Sequence, residues 1–560
     1  MKRLPRITSD GRFLLLALLA ILALGQAAAA AIAAVATREV FLAFRQPTLS
    51  MPQLALIALG AAGILIAGFR YVERIMAERV GQDYAAALRL KLFRHLTQLS
   101  ARDIAKRRNG AMSMRFVGDL AAVRGWVSLG LARLISAIIV LPIATGVLFW
   151  LNRDLGAAAI VPLSIGVCIM LLTGPRLGPA HKKLRQRRAQ LAADMSERIP
   201  HAPELRLLGR IQLETDHLNK RTEKLIDSAL ERARGAAFLR AVPDATAGLA
   251  AVAVFWMALQ TGARGADAAA AMAAVGLMLQ PMRDLAGVWD RHRAWVVARD
   301  KCEKLLDVPK LDRPKPNTNK RLVDAPPAIH IKNLSAGPLK KINASVEPGR
   351  SIAIVGANGV GKSTLLSLMA GLEQPHKGQV TLDGRPPQSL TAFERRNLIT
   401  MIGTRSAVLA GSLRRAFVMA AADRPTDDTV LQMAERYGLT KMVERLGGLD
   451  GKVAEAGRNM SAGELRRLLL TRAALSKPKL LLLDEPDDAL DTDGPKLVGQ
   501  LLAQVDATTL MVTHNPKIAI LADEIWFVDQ GGLAETGSAD QLLAVNERIA
   551  AFLGENRTAA

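Results

Sequence analysis

The chain is poor in aromatic residues, with 13 Phe, 3 Tyr and 6 Trp among 560 positions, and none of them lies between residues 296 and 392. Nothing in that composition points to an aromatic-lined cavity. Cysteine is almost absent. Cys168 falls in an apolar run and Cys302 in a charged stretch, so no structural disulfide is expected. Acidic residues are also scarce, 51 against 74 lysines and arginines, which leaves a net charge of +23 and a pI of about 10.4. In a soluble protein that balance would suggest nucleic acid. No nucleic-acid recognition fold is visible, however, and much of the excess lies between apolar runs, at 106–108 and 181–188. Retention of basic loops on the inner side of a membrane, with attraction to anionic lipid, explains it more simply. The expected partner is therefore a lipid bilayer and not a nucleic acid.

Glycine is concentrated where it matters most. Gly356, Ala357, Asn358, Gly359, Val360, Gly361, Lys362, Ser363 and Thr364 directly follow the apolar run 351–355. Strand, glycine-rich turn and helix start is the order that a phosphate-binding loop requires. The glycines let backbone N–H groups turn inward to hold a β-phosphate at a helix N-terminus. Lys362 can reach the β- and γ-phosphates, the Ser363 hydroxyl is placed to ligate Mg²⁺, and Thr364 supports the loop. ATP and Mg²⁺ are the expected ligands. Further along, the apolar run 480–483 ends in Asp484 and Glu485. A continuous apolar run suits a central parallel strand covered on both faces. Asp484 can hold the Mg²⁺ shell, and Glu485 can orient or deprotonate the attacking water. Val512 and Thr513 lead to a second polar strand end at His514.

Charge is missing altogether from parts of the front half. Residues 13–37 are uncharged over about 25 positions, enough for a membrane helix, and 54–69, 134–151, 155–175 and 245–263 are further uncharged apolar runs. Residues 268–282 are fewer, about 15, and hydropathy alone does not decide them. Topology does. The basic start, with Lys2, Arg3 and Arg6, stays inside. Five crossings would leave the ATP site outside the cell, and six return it to the cytoplasm. The first segment also fits a signal peptide, although its uncharged stretch is long for one, and cleavage would not move the ATP site. The outer connections 152–154 and 262–267 are short. The inner ones, 70–125 and 176–237, are long, charged and suited to helices that project from the membrane.

Met460, Ser461, Ala462, Gly463 and Glu464 precede the strand of Asp484, and Ala489, Leu490 and Asp491 follow it. With the phosphate loop, the strand-end acids and His514, this series resembles the ATPase domain of ABC transporters. Segments 88–95, 109–115, 196–198 and 205–210 resemble the intracellular loops of ABC exporters in which six membrane helices are fused to the ATPase. The resemblance implies a membrane all-α six-helix domain followed by an α/β P-loop ABC ATPase domain. It divides the chain into a membrane domain at 1–306, a linker at 307–327 and a nucleotide-binding domain at 328–560. It also implies that Ser461 and Gly463 contact the γ-phosphate bound to a second ATPase domain, that Asp491 lies in the D-loop and that His514 senses the γ-phosphate. The partner is then a second half-transporter, in a homodimer or in a heterodimer with a related chain. Glu485 and His514 are the catalytic candidates.

Three departures from the family pattern stand out. No aromatic ring lies upstream of the phosphate loop to stack on adenine, and the expected region, 335–340, is short. Counting back from Gly411 places Thr404 where the family has a glutamine that reaches Mg²⁺. Ala462 and Glu464 replace the commoner Gly and Gln of the signature. A slow ATPase, or one member of a heterodimer with unequal sites, would carry such changes. The expected function is ATP-driven transport of an unidentified substrate, in the export direction, by a multi-pass protein of the inner (plasma) membrane with its ATPase in the cytoplasm. The alternatives are a nucleotide-gated membrane sensor with little transport, or an importer sharing the exporter fold.

Overall fold

A computed structural model describes residues 4–43, 51–107, 112, 115–312, 325–403, 406–490 and 492–545. It divides into two compact units, one of Met1–Gln98 with Ala105–Pro309 and one of Leu99–Ile104 with Lys310–Ala560.

The first unit is helical. Its long elements are α1 (Arg12–Ala43) and α2 (Gln53–Leu96). After the one-turn helix α3 (Ala101–Ala105), assigned mostly to the second unit, come α4 (Leu120–Gly125), α5 (Ala132–Leu151), α6 (Arg153–Thr173), α7 (Leu177–Arg198), α8 (Ala202–Leu207), α9 (Ile211–Thr261) and α10 (Gly265–Leu306). Two π-helical stretches, Arg115–Asp119 and Trp126–Leu131, flank α4. The inner connections expected to be helical are indeed so: α2 runs on to Leu96, and α7 and the first part of α9 fill much of 176–237. Asn152 starts α6, its side chain accepting from the N–H groups of Asp154 and Leu155 at 3.1 Å each. Gly262, at φ 61°, ends α9 in the left-handed conformation open to glycine.

Among the described residues, five helices are long and apolar enough to cross a membrane: Arg12–Ala43, Gln53–Leu96, Arg115–Leu151, Arg153–Leu207 and Ile211–Thr261. The short run 268–282 falls in α10, a continuous helix of 42 residues. Its apolar stretch is too brief to qualify by composition, but Ala268, Ala270, Ala271, Ala274 and Met278 are buried against neighbouring helices. Small residues at such seams let helix backbones approach closely without any driving force from water. Outward, Ile57, Ile64, Trp150 and Leu259 are exposed, as suits a surface solvated by lipid.

The second unit is built on a six-stranded sheet. Its strands, in spatial order, are β11 (Gly532–Gly537), β10 (Glu524–Asp529), β3 (Ser351–Val355), β9 (Thr508–Val512), β8 (Leu480–Asp484) and β5 (Ile399–Ile402). All neighbouring pairs are parallel except β10 with β11. Every residue of β8 and β9 is buried, which explains their unbroken apolar runs. A smaller antiparallel sheet holds β2 (Leu339–Val346), β1 (Ile329–Ala336) and β4 (Lys377–Leu382). Register decides where chemistry gathers. Ile354 pairs with Val512 and Val512 with Asp484, so β3, β9 and β8 end level with one another. The segments that follow those three ends share one sheet edge, the place where α/β sheets bind ligands.

Candidate nucleotide site

The loop after β3 leads into α11 (Lys362–Met369). Gly356, Gly359 and Gly361 take φ of 150°, 85° and 111°, a region that a side chain would strain. Space imposes a second demand at Gly361, where an added Cβ would meet Leu339 Cδ2 at 2.6 Å and Pro338 Cγ at 3.0 Å. Asn358 and Ala357 lie exposed at the loop tip, and Val360 is half-buried against the small-sheet core.

Lys362 is buried, and its Nζ donates to the carbonyl oxygens of Gly356 at 2.7 Å and Ala357 at 3.0 Å. Burial lowers its pKa, while Glu485 and Asp484 work in the opposite direction. The Ser363 hydroxyl donates to Asp484 Oδ1 at 3.1 Å. Burial raises the Asp484 carboxyl above its usual range, opposed by that hydroxyl. Glu485, at φ 52°, donates its backbone N–H to Val512 O at 2.9 Å, which turns the chain as it leaves the sheet. His514 Nε2 stands 3.6 Å from Glu485 Oε1, with both side chains partly open to solvent. Lys362, Ser363, Asp484, Glu485 and His514 therefore gather at one edge: a cation, a hydroxyl–carboxylate pair and an exposed carboxylate beside an imidazole.

Ser461 and Gly463 are arranged differently. Ser461 caps α12 (Ala462–Ser476). Its Oγ accepts from the Glu464 N–H at 3.1 Å, and its own N–H donates to Glu464 Oε2 at 2.8 Å. Arg445 Nη2 donates to both oxygens of Glu464, at 2.9 and 2.8 Å. The unusual acid of the signature thus has a structural task, completing a capping box pinned by arginine. Among the described residues neither Ser461 nor Gly463 bonds to the phosphate loop of its own chain. Thr404 and Asp491 lie outside the described residues.

The region expected to hold an adenine-stacking ring is a two-residue turn. Ala336 pairs with Leu339, leaving Gly337 and Pro338 to connect β1 and β2. Gly337 has φ 58°, and the space of a side chain there is taken by the Arg102 guanidinium. Sequence reading missed this arginine and the seating of its segment. The Ala101 N–H donates to Leu372 O at 2.9 Å, and the Arg102 N–H bonds to Glu373 Oε1. A local signal was present in Ser100 and Asp103 at the start of α3, where the Ser100 hydroxyl donates to Asp103 Oδ2 at 3.0 Å and accepts from the Asp103 N–H at 3.1 Å.

A phosphate loop aligned with strand-end acids, in a chain whose described residues include five membrane-length apolar helices, defines a nucleotide-binding membrane protein. Residues 13–272 match the ABC transporter transmembrane region, and residues 339–488 match the ABC transporter family. The chain belongs to the ABC transporters, with membrane and ATPase domains fused as in half-transporters of the exporter type. It is 28% identical to the glutathione/L-cysteine transport system ATP-binding/permease protein CydC of Escherichia coli, over 88% of each chain. It is 24% identical to an ATP-dependent lipid A-core flippase of Desulfotalea psychrophila, over 84% of each. A bacterial Atm1-family ABC exporter solved with ATP bound shares the fold, with a TM-score of 0.84 at 22% identity over 97% of this chain and 98% of that one. The protein is an ATP-hydrolysing transporter that passes repeatedly through the inner membrane and keeps its ATPase domain in the cytoplasm.

Proposed function

We propose that this chain is one half of a dimeric exporter, in which each ATP site is composed of residues from two chains. The observation that carries this reading is that, among the described residues, Ser461 and Gly463 make no hydrogen bond to the phosphate loop of the same chain. ATP held on Gly356–Thr364 of one chain would be closed over by Ser461 and Gly463 of the other. Asp491, in the segment after β8, is assigned to that same junction. The domain limits 1–306, 307–327 and 328–560 belong to this reading. A Staphylococcus aureus relative named as a putative multidrug export protein supports the outward direction.

The residues at the sheet edge fit Mg²⁺. Ser363 Oγ and Asp484 Oδ1 form a hydroxyl–carboxylate pair of oxygen donors 3.1 Å apart. Mg²⁺ takes few protein ligands and fills its shell with phosphate oxygens and water. Ser363 and Asp484 would hold it, with Thr404 as a further ligand through water, and it would neutralise charge on the β- and γ-phosphates. The chain's own residues do the rest. Lys362 turns from the carbonyls of Gly356 and Ala357 to the phosphates. Glu485 orients the attacking water and takes its proton. His514, beside Glu485, donates to the γ-phosphate. Closure of the two ATPase domains reorients the membrane helices, and hydrolysis resets them.

Inside-out vesicles carrying the protein and its partner test this reading. The lumen should accumulate a cytosolic solute with ATP and fail to do so with a non-hydrolysable analogue. ATP-dependent conformational switching with no solute gained would instead favour a sensor.

A further inference from the structure

The helical unit holds two adjoining cavities, of about 210 and 280 Å³, that share Arg133. The first lies among α1, α2, α5 and α10, the second among α5, α9 and α10. Their combined walls contain six arginines and three carboxylates. All three carboxylates are already engaged. Asp284 pairs with Arg133 at 2.9 Å, Asp244 pairs with Arg283 at 2.6 Å, and Glu73 accepts from Gln26. Arg70, Arg74, Arg240 and Arg291 have no carboxylate within 4.0 Å among the described residues, and Arg291 donates only to Gly287 O at 3.3 Å.

Placement gives this surplus a meaning. Arg70 follows the apolar run 54–69, Arg133 precedes 134–151, Arg240 precedes 245–263, and Arg283 follows 268–282. All four stand at the cytoplasmic ends of membrane segments, where an exported solute enters. Retention of positive charge on the inner side explains arginines at this level. It does not explain why Arg70 and Arg240 line these cavities when the nearby Asp284 and Asp244 are already paired with Arg133 and Arg283. Low-dielectric walls of one sign focus the field and raise the local concentration of the opposite charge. A guanidinium fork matches carboxylate and phosphate in two-point geometry.

We propose that these cavities form the cytoplasmic entry site for an exported anion bearing two or more carboxylate or phosphate groups, held by Arg240, Arg291 and Arg133. The inference rests on the export reading and supplies its cargo class. A soluble acid and an anionic lipid headgroup present the same chemistry, and the test separates them.

The full-length protein in phosphatidylcholine nanodiscs is titrated calorimetrically with triglutamate, triglutamine and trilysine. Triglutamate should bind and the other two should not. The double exchange Arg240→Gln with Arg291→Gln should weaken triglutamate at least about tenfold, since each removes a charge-assisted contact. Arg188→Gln, which removes the same charge from the exposed face of α7, should leave the affinity unchanged. Thermal unfolding of each variant shows that it is folded, and Arg240→Gln alone is the second variant should the pair unfold. Equal binding of triglutamine, or equal weakening by Arg188→Gln, overturns the proposal. A second arm uses mixed phosphatidylcholine and cardiolipin discs, because the cardiolipin headgroup carries two phosphates. Cardiolipin that copurifies with the wild type, is lost from the double variant and excludes triglutamate makes the headgroup the anion. Absence of both soluble-anion and lipid binding overturns the proposal, and continued ATP-driven solute accumulation in vesicles would then leave the export reading standing. Anion binding without such accumulation would do the reverse.

Discussion

Replacing Lys362 by Ala removes the one cation of the phosphate loop, and the structure sets the size of the loss. In the described state Nζ is not idle: it donates to Gly356 O at 2.7 Å and Ala357 O at 3.0 Å. ATP must draw it away from both, so only the difference between phosphate and carbonyl as acceptor adds to affinity. A hydrogen bond involving a charged group contributes about 1.5–3 kcal/mol. With two bonds at the upper end exchanged for two at the lower, the net gain is about 3 kcal/mol, or about two orders of magnitude in Kd. Lys362→Met should lose nearly as much, because it keeps the packed stem and discards only the ammonium. MgATP titration by calorimetry in a Glu485→Gln background measures this without turnover. A Kd within about threefold of the parent in both variants would refute the reasoning, since it would place the ammonium outside the nucleotide contacts.

Two further predictions concern base recognition and acid stability. The two-residue turn Gly337–Pro338 offers no ring to adenine, so ATP and GTP should bind the unaltered protein within about tenfold of each other, or about 1.4 kcal/mol; side-by-side titration checks this, and a stronger preference would mean that another group reads the base. The two-point pair of Arg385 with Glu394, at 2.7 and 3.2 Å, together with the Thr391 cap, lowers the Glu394 pKa to about 2. A depressed carboxylate stabilises the folded state above its unfolded pKa and loses that contribution as pH falls from about 4.5 towards 2. Glu394→Gln should therefore unfold more easily than the wild type at neutral pH, with the difference vanishing across that acid range; a thermal-unfolding gap that does not shrink would contradict the pairing.

The candidate nucleotide site is legible in sequence because each part is a contiguous motif read against a single strand end. Gly356–Thr364 needs only the strand before it, and Asp484 and Glu485 need only the apolar run that delivers them. What escaped depends on tertiary partners. The Glu464 signature departure becomes intelligible only when Arg445, 19 residues earlier, is seen bonded to it. The absence of an adenine-stacking ring is visible in sequence, but the arginine that takes the side-chain space at Gly337 comes from residue 102, far from it along the chain. The membrane helices followed from charge-free runs, whereas the interior helix α10 has too short a run to declare itself and shows its setting only through its buried alanines. The arginine cavities draw on helices distant in sequence, and no local period brings Arg133 beside Arg240.

The central claim is that this edge of the sheet hydrolyses ATP to drive transport, and Glu485 tests it most directly. In proteoliposomes containing the protein with its partner chain, Glu485→Gln keeps the shape of the side chain and removes the carboxylate proposed to handle water. General-base contributions of about 10²–10⁴-fold set the expected fall in single-site ATP turnover. MgATP should still bind with the affinity of the wild type, and ATP-driven solute accumulation should fall with turnover. Wild-type single-site turnover in this variant would contradict the account and assign the chemistry to another residue.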